Sequence, residues 1–556
     1  MRRTDEEEEK RMRSAAARLR SLCWGLLARA DRFMNRLYSS RYNPLYHSGA
    51  IVVLLLIVLL LTGLYLLFFY RIGEPHASVA RITDQAWLGR WIRSLHRYGS
   101  DAAVVAVAIH AFRLFAQGRS WGPRTLAWLS GLVLLFVLLV SGWTGYVMVW
   151  DVQAQLLAVE GARWLDVLPI FSEPLGRAFV GEQAIPAAFF FLNLFLHVAL
   201  PVGMFVILWI HVSRIARPGL LPPRGLLWGS VALLLALSVL WPIGMDPSAD
   251  AFRIPERAAL DLFYAFWLPL TRHLPAGAVW VLGLSLTGVA LAAPLWTRPA
   301  AAQRPEPSAV DARLCTGCEQ CYLDCPYEAI AMRERTDGRE GVYAVVDRAL
   351  CVSCGICAAS CAPMGIGPPG MTGRDQLERV REFVRLVDPG PRDVVLVGCA
   401  RGAAGFDALA AGADAFSPAG DGGGAPAGHL PGAFDGSRVF QIPCAGNVHT
   451  SVIEYLVRAG VGGVLIVACH PRDCWSREGP RWLEERMYHD REAELKERVD
   501  RKRLRLVHAS AGEDRELAAA LAEFRESLRR LGSAEAESEI DLELECEPAE
   551  LQEAGP

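Results

Sequence analysis

Two stretches with paired histidines decide the fold of the N-terminal part of this chain: SLHRYGSDAAVVAVAIHAF at 94–112 and FLHVALPVGMFVILWIHVS at 195–213. In both stretches the histidines are 14 residues apart, namely His96 and His110, and His197 and His211. Fourteen steps of about 100° return nearly to the starting face of an α-helix and climb about 21 Å. Two such helices side by side would hold two haems, one above the other, by bis-imidazole ligation. The alternative is that the histidines are hydrogen-bonded polar residues inside a helix bundle.

Apolar runs long enough to cross a membrane surround these histidines, since a span needs about 20 helical residues. The runs lie at 51–70, 98–117, 126–150, 184–213, 226–245 and 274–297. They predict an all-α transmembrane bundle of about six helices. The Arg-rich segment Ala15–Leu37 before them is typical of an amphipathic helix on the membrane surface. Its arginines favour a cytoplasmic N-terminus, and six spans would return the C-terminal half to the cytoplasm, in the inner membrane of a prokaryote.

Composition separates a membrane half from a cysteine-rich half. The 556 residues are 52% hydrophobic and 21% charged, which excludes a disordered chain. A formal net charge of -3 argues against a nucleic-acid binder. The 14 cysteines lie almost entirely after residue 300.

The first 215 residues resemble the N-terminal part of cytochrome b of the quinol:cytochrome c reductase and plastoquinol:plastocyanin reductase families. The resemblance implies that His96 pairs with His197 around an outer haem b, and His110 with His211 around a cytoplasmic-side haem b. It also implies further haem-contacting residues: Gly49, Gly63, Gly131 and Gly145 against the haem planes, and Arg93 and Arg113 on the propionates. Pro201 matches a kink in the fourth helix of the family.

Two departures fall on the quinol motifs of that family. In GWTGYVMVWD, Val149 replaces an expected proline, and in IPERAALDLFYAFW, Arg257 replaces a tryptophan. Glu256 remains as the candidate catalytic residue that would accept a proton from quinol. The alternative is that Pro255 and Glu256 simply begin an interfacial helix.

Two motifs after the linker 299–310 have the spacing C-x2-C-x2-C-x3-C: CTGCEQCYLDCP at 315–326 and CVSCGICAASCAP at 351–363. This is the run of bacterial two-cluster ferredoxins, in which the fourth cysteine ligates the other cluster. The predicted ligands of one 4Fe–4S cluster are Cys315, Cys318, Cys321 and Cys361. Those of the second are Cys351, Cys354, Cys357 and Cys325. Zinc is the alternative metal.

Short β-branched runs that end in cysteine follow from about residue 390. DVVLVGC, VFQIPC and GVLIVAC end in Cys399, Cys444 and Cys469, and RLRLVHAS is a fourth run. Strands alternating with helices predict a parallel α/β sheet, whose ligands lie outside the carboxyl ends of the strands. With Cys474, these cysteines form a candidate four-thiolate site. The alternative is that each is a small buried hydrophobic residue.

This region, 390–530, resembles the delta subunit of methyl-viologen-reducing hydrogenases, including the motif CHPRDC, and the resemblance implies a 2Fe–2S cluster. A Gly/Ala-rich insertion at about 401–437 interrupts it and is predicted to be a flexible loop. The predicted organisation is a cytoplasmic N-terminal segment, a dihaem domain, two further membrane helices, a linker, a small α+β ferredoxin-like domain, a parallel α/β domain and a disordered acidic tail: 1–48, 49–217, 218–298, 299–310, 311–370, 390–530 and 531–556.

The order of these groups predicts a membrane subunit that exchanges electrons between the quinone pool and a cytoplasmic redox protein. By resemblance, that partner is a hydrogenase, a heterodisulfide reductase-like subunit or a dehydrogenase. A homodimer, as in cytochrome b complexes, is also consistent with the resemblance. The alternative function is a non-catalytic anchor that conducts electrons while another subunit carries out the quinone chemistry. A complete quinol oxidase would need a Rieske partner that this chain does not encode.

Overall fold

The structure is a computed structural model, and the chain divides into two compact units. One unit comprises Met1–Leu27 and Pro44–Gln303, and the other comprises Ala28–Asn43 and Arg304–Pro556. The structure describes residues 2–169, 175–179, 185–213, 219–250, 252–253, 261–299, 304–400, 434, 437–489, 491 and 493–545. Glu256, Arg257 and nearly all of the predicted loop at 401–437 lie outside these ranges.

Four helices of the first unit are long and apolar enough to span a membrane: Ser48–Phe69, Gly89–Ala116, Gly122–Val147 and Ala187–Ser213. The third begins with a short 3₁₀ turn, Gly122–Arg124, before the α-helix Thr125–Val147. Two further apolar helices, Arg224–Leu240 and Ala276–Leu291, are shorter, with 17 and 16 residues. The predicted helical membrane bundle is confirmed, with four full-length spans in the described part of the chain.

The four long helices pack as two pairs. Ser48–Phe69 lies against Gly89–Ala116, and Thr125–Val147 lies against Ala187–Ser213. Many of their apolar side chains are exposed, as the lipid-facing surface of a membrane bundle requires. Pro201 lies inside the last of these helices, as the resemblance to the family implies. Proline removes one backbone hydrogen-bond donor from the helix. Membrane helices commonly tolerate this loss, because neighbouring groups satisfy the freed carbonyl.

Shorter helices complete the first unit. The helix Val152–Leu165 is capped by Asp151, whose carboxylate accepts from the backbone N–H of Ala154. Its buried face forms an apolar cluster with Val147 and Leu268. The remaining helices of this unit are Pro75–Asp84, Leu268–His273 and Ala293–Trp296, together with the first part of the long helix Arg2–Tyr42.

The ferredoxin-like part of the second unit consists of short strands and single-turn helices. Strand β1 (Ala309–Val310) pairs antiparallel with β4 (Ile366–Gly367), and β2 (Ile330–Glu334) pairs antiparallel with β3 (Val342–Val346). The single-turn helices are Gln320–Leu323 and Ile356–Ala359, one in each cysteine motif. Six of the eight cysteines belong to or pack against a small core that includes Ile330 and Ala344.

The rest of the second unit is a four-stranded parallel sheet, as predicted. Its strands are β5 (Val394–Cys399), β6 (Ser437–Ile442), β7 (Gly463–Ala468) and β8 (Leu504–His508), in the spatial order β6–β5–β7–β8. The two central strands are fully buried, as expected for near-continuous runs of Val, Leu and Ile.

The helices beside the sheet are Gly373–Val387, Thr450–Arg458, Gly479–Tyr488 and Asp514–Glu545. The first begins with a capping box formed by Thr372 and Asp375. The third of these helices ends at Tyr488, and a short 3₁₀ turn, Arg501–Arg503, directly precedes β8.

Candidate functional site

The four intramembrane histidines lie at two levels of the helix bundle. The ring centroids of His96 and His197 are 6.2 Å apart. This separation leaves space for one metal ion with bonds of about 2 Å to each ring nitrogen. His110 and His211, one 14-residue step along the same two helices, are electrostatic neighbours. The structure therefore brings together the pairs that the family resemblance implies.

A hydroxyl group contacts the Nδ1 atom of every one of these histidines. The distances are 3.3 Å for Ser48–His110, 2.8 Å for Thr62–His96, 3.0 Å for Ser130–His211 and 3.3 Å for Thr144–His197. A hydrogen bond at one ring nitrogen sets the tautomer and leaves the other nitrogen for a metal. Contacts of the four hydroxyls with Nδ1 therefore leave the four Nε2 atoms available to a metal.

For His197, the hydrogen-bond partner of Nδ1 assigns the tautomer. Its Nδ1 lies 2.8 Å from the carbonyl oxygen of Ser141, which can only accept a hydrogen bond. Nδ1 must therefore carry the proton, and Nε2 keeps its lone pair. This is the protonation state that haem iron requires of an imidazole ligand.

Glycine follows each of the four hydroxyl residues and lets a histidine ring lie against the helix backbone. A Cβ atom placed on Gly145 would be 2.6 Å from Cε1 of His197, and one on Gly49 would be 2.8 Å from Cε1 of His110. The corresponding distances are 3.2 Å for Gly63 to His96 and 3.3 Å for Gly131 to His211. All four predicted glycines thus lie at the histidine pairs, two at each level.

The two predicted arginines have protein contacts of their own. Arg93 donates from Nη1 to the backbone carbonyls of Ile243 (2.9 Å) and Gly244 (3.0 Å). Arg113 is buried, and its guanidinium lies 4.6 Å from the ring centroid of Tyr46. Both arginines lie on the helix that carries His96 and His110. Four imidazoles, four glycines and two nearby cations fit two haems with bis-imidazole ligation.

The eight cysteines of the ferredoxin-like part line two cavities, four cysteines in each. Cys315, Cys318, Cys321 and Cys361 line the first, together with apolar side chains such as Ile366. Cys325, Cys351, Cys354 and Cys357 line the second. Each cavity thus takes three cysteines from one motif and the fourth from the other, which is the exchange that the ferredoxin spacing predicts.

The sulfur atoms at these cavities accept hydrogen bonds from nearby backbone N–H groups. Ser308 donates to Cys351 at 3.4 Å, Ala329 to Cys325 at 3.4 Å and Gly365 to Cys361 at 3.3 Å. Burial raises the pKa of the Cys357 thiol to about 12 and that of the Cys321 thiol well above its ordinary value. Buried thiols of this kind become thiolates when a metal centre replaces the proton. Backbone donors to sulfur fit an iron–sulfur cluster, whose potential they raise.

A third set of cysteines lies at the carboxyl ends of three adjacent strands. Cys399 ends β5, Cys469 follows β7 directly, and Cys444 follows β6 after one proline. The sulfur of Cys444 is within hydrogen-bonding reach of the sulfurs of Cys399 and Cys474, and Cys469 reaches the same two. All four side chains are buried. The parallel sheet and the CHPRDC turn thus build one compact four-sulfur site.

The thiols of this four-sulfur site differ in their pKa values. Hydrogen bonds from Cys399 and Cys474, together with one from Ser476, lower the pKa of the Cys444 thiol well below its usual range. The same network, with burial, raises the pKa of Cys469. A cluster bound here would replace the remaining protons, since metal ligation requires thiolates.

Glycine also makes room at the four-sulfur site. A Cβ atom on Gly479 would lie 2.7 Å from Sγ of Cys444 and 3.3 Å from Sγ of Cys474. Across the described ranges, no group of three or more His, Cys, Asp or Glu side chains has the arrangement of a single-ion site.

Sequence reasoning located the histidines, glycines and cysteines but not the hydroxyls. The missed residues are Ser48, Thr62, Ser130 and Thr144. Their signal was present as a Ser-Gly or Thr-Gly dipeptide at each of the four glycines. Glu256, the candidate catalytic residue, lies outside the described residues.

Three family models match consecutive parts of the chain. They are cytochrome b/b6/petB over residues 33–219, the 4Fe–4S dicluster domain over 314–365 and the delta subunit of methyl-viologen-reducing hydrogenase over 433–532. Cys399 lies before the start of the last match, whereas Cys444, Cys469 and Cys474 lie inside it.

Relatives in sequence and structure are similar to the N-terminal part. The menaquinol:cytochrome c reductase cytochrome b subunit of Bacillus subtilis (strain 168) is 26% identical over 186 residues, which are 32% of this chain and 82% of that protein. A solved structure of a hyperthermophilic respiratory Complex III covers 45% of this chain and 75% of its own, at 16% identity and a TM-score of 0.37.

These matches coincide with the histidine levels and the cysteine sets described above. A cytochrome b region implies haem b, and a 4Fe–4S dicluster region implies iron–sulfur clusters. The chain is therefore a membrane electron-transfer protein, in which a region similar to cytochrome b is joined to a region similar to 4Fe–4S dicluster domains and a region similar to a hydrogenase delta subunit.

Proposed function

We propose that the chain carries electrons between membrane quinone and a soluble low-potential redox protein on the cytoplasmic side. The observation that carries this proposal is that one polypeptide contains two histidine levels in a membrane bundle and three separate four-cysteine sets. Haems and iron–sulfur clusters exchange single electrons and supply no bond chemistry of their own. The protein's part is to hold them in place and to tune them.

The residues divide among five centres. His96 with His197, and His110 with His211, would hold two haems b. Cys315, Cys318, Cys321 and Cys361 would hold one 4Fe–4S cluster, and Cys325, Cys351, Cys354 and Cys357 the other. Cys399, Cys444, Cys469 and Cys474 would hold a 2Fe–2S cluster, which the similarity to the hydrogenase delta subunit favours.

The partner would supply the two-electron chemistry. No flavin or nicotinamide fingerprint stands in the sequence, so conversion of hydride or dihydrogen into single electrons belongs to another protein. We place both chain ends in the cytoplasm of a prokaryote, because the basic residues of Ala15–Leu37 favour that side. The hydrogenase delta-like region would then be the docking domain for a hydrogenase, heterodisulfide reductase-like or dehydrogenase partner, and the cytochrome b region would support a homodimer.

A second candidate function is a non-catalytic anchor and conduit. Val149 and Arg257 favour it, because both replace residues of the family's quinol motifs. In that case, Glu256 would serve the fold of an interfacial segment, and another subunit would oxidise or reduce quinone.

One experiment separates these functions. The full-length protein in liposomes with a short-chain naphthoquinone is mixed anaerobically with reduced methyl viologen. Two viologen radicals lose one electron each, and one quinone takes up two electrons and two protons from water. The haem b absorbance and the quinone absorbance are followed together. We expect rapid haem reduction followed by quinone reduction in the wild type.

Cysteine variants then test the route of the electrons. Cys444→Ala should slow haem reduction at least about tenfold, as a lost relay in a series of one-electron carriers would. Cys23→Ala is the matched control, since Cys23 belongs to none of the four-cysteine sets. Haem reduction without quinone reduction would establish the conduit function instead. Equal haem reduction rates in Cys444→Ala and the wild type would refute the route through the third site.

A further inference from the structure

Arg486 is the largest fully buried side chain in the described part of the protein, with 1% of its surface exposed. It lies near the end of the helix Gly479–Tyr488, beside the four-sulfur site. A buried guanidinium is unfavourable unless ion pairs and hydrogen bonds compensate for the lost water. Its partners therefore indicate why the fold keeps a cation there.

Each partner of Arg486 is a near neighbour of a cysteine in a different set. Asp324, itself 1% exposed, forms an ion pair with Arg486 at 3.6 Å and directly precedes Cys325. Ser360, 3.1 Å away through Oγ, directly precedes Cys361. Arg486 also donates to the carbonyl of Gly446 at 2.7 Å, two residues after Cys444. One side chain thus links both exchanged ferredoxin cysteines to the third site.

Further buried contacts join the same two parts of this unit. Asn447 donates from Nδ2 to the carbonyl of Gly355 at 2.8 Å, between Cys354 and Cys357. Gly355 has φ +77°, and a Cβ atom there would lie 2.4 Å from that Nδ2. His449 donates from Nε2 to the carbonyl of Cys361 at 3.1 Å. The ferredoxin-like part and the parallel-sheet part are therefore packed as one body around their cysteines.

The charge of Arg486 acts on neighbouring thiolates. Burial lowers the pKa of Arg486 to about 10, and Asp324 opposes that effect, so the guanidinium stays protonated at neutral pH. Cys444 and Cys357 are among its electrostatic neighbours. Among the described residues, its Nε atom has no hydrogen-bond partner. One buried N–H of the guanidinium thus has no acceptor in the described part of the protein.

We propose that Arg486 is a positioning and tuning residue that joins the ferredoxin-like clusters to the Cys399–Cys444–Cys469–Cys474 site and stabilises their reduced forms. The inference rests on the proposed function only in that these cysteines hold clusters. A cluster gains one negative charge on reduction, so a nearby buried cation raises its reduction potential. Asp324 has the opposite effect.

Opposite charge changes at this pair provide the test. In the full-length protein, Arg486→Gln removes a positive charge and Asp324→Asn removes a negative charge, with little change of volume in the second case. We expect a lower midpoint potential in Arg486→Gln and a higher one in Asp324→Asn. EPR-monitored redox titration reads the potentials of the second 4Fe–4S site and the Cys444 site, independently of turnover. Arg481→Gln, on an exposed position of the same helix, should match the wild type.

The iron content of each variant distinguishes an electrostatic effect on the potentials from a loss of folded structure. If Arg486→Gln loses iron, the double variant Arg486→Gln/Asp324→Asn should recover it, because it also removes the buried carboxylate that has lost one of its two cations and keeps only Arg491. Its potentials should lie between those of the two single variants. Shifts of the same sign in both single variants, or no shift with full iron content, would overturn the proposal. Absence of cluster iron from the wild type would instead refute the proposed function.

Discussion

At the scale of single residues, the hydroxyl groups beside the histidines form hydrogen bonds with the imidazoles that would bind haem. The hydroxyl of Thr62 donates to the carbonyl of Val58 at 2.7 Å, so its oxygen accepts the proton on Nδ1 of His96. Such a hydrogen bond makes an imidazole ligand more basic. A more basic ligand favours ferric over ferrous iron.

Thr62→Val should therefore raise the midpoint potential of the haem held by His96 while leaving its amount unchanged. A neutral hydrogen bond contributes about 1 kcal/mol, which corresponds to about 40 mV for one electron. Optical redox titration of the b haems measures the shift, and the pyridine haemochrome assay measures the content.

Thr83→Val is the matched control for this variant. Thr83 makes the same helical contact, donating to the carbonyl of Val79 at 2.8 Å, but lies on the helix Pro75–Asp84 away from the histidines. Its haem potentials should equal those of the wild type. An unchanged potential in Thr62→Val, with haem retained, would show that the hydroxyl does not act through His96.

At the scale of elements, two glycine-bearing helices lie against two histidine-bearing helices. The 14-residue repeat puts Gly49 and Gly63 on one face of the helix Ser48–Phe69. It likewise puts Gly131 and Gly145 on one face of the helix Thr125–Val147. At Gly49 and Gly145 a Cβ atom would come within 3.0 Å of a histidine ring, and at Gly63 and Gly131 it would make a tight contact of 3.2–3.3 Å. Close helix packing and ligand placement thus depend on the same residues.

Gly145→Ala should displace His197 and remove one of the two haems, because the new Cβ would lie 2.6 Å from Cε1 of that ring. Overpacking of this kind typically destabilises a protein by about 1–3 kcal/mol. Haem per polypeptide, measured on purified protein, should fall to about half that of the wild type.

Gly203→Ala provides the comparison at a helical glycine with nothing within 4 Å of the new methyl group. This variant should keep its full haem content, and the better helix propensity of alanine should stabilise it by up to about 1 kcal/mol. Equal haem loss in both variants would point to a general effect on helix insertion. Full haem content in Gly145→Ala would show that His197 tolerates the contact.

At the scale of the whole molecule, the two compact units do not follow a single cut in the sequence. Residues 28–43 belong with the C-terminal unit, where Asn35 donates to the carbonyl of Ala511 at 2.8 Å. The backbone N–H of Ser40 donates to Glu513 at 2.7 Å. The C-terminal unit is therefore completed by a segment from the other end of the chain.

This division predicts the result of truncation. Removing 304–556 should leave the haem content and haem spectrum of the membrane unit unchanged, because its histidine pairs and packed helices lie within 44–303. The shorter deletion, 390–556, keeps the ferredoxin-like part but exposes the surface that packs on the parallel-sheet part. Asp324 would then lose both Arg486 and Arg491. That second variant should contain haem but little iron–sulfur iron.

Haem absorbance and acid-labile sulfide of the purified truncations check this prediction. Loss of haem in the 304–556 deletion would show that the membrane unit depends on the C-terminal unit for folding. Wild-type sulfide per remaining cysteine set in the 390–556 deletion would show that the ferredoxin-like part is independent.

Local patterns in the sequence were sufficient for the membrane helices, the histidine levels and both ferredoxin motifs. Helix periodicity relates His96 to His110 without reference to any other part of the chain. The C-x2-C-x2-C-x3-C spacing predicts that three cysteines of each motif share a site and that the fourth joins the other site. The strand-end positions of Cys399, Cys444 and Cys469 likewise follow from short apolar runs and the geometry of a parallel sheet.

Only the tertiary structure decided which distant residues complete these sites. Asp324 and Arg486 are separated by 162 positions in the numbering, and neither occupies a ligand position of a motif. The packing of Ala28–Asn43 on the C-terminal unit is equally invisible in local sequence. Periodicity and spacing encode contacts within an element or motif. A buried ion pair between elements depends on how whole surfaces fit together, and that fit is settled only when the chain has folded.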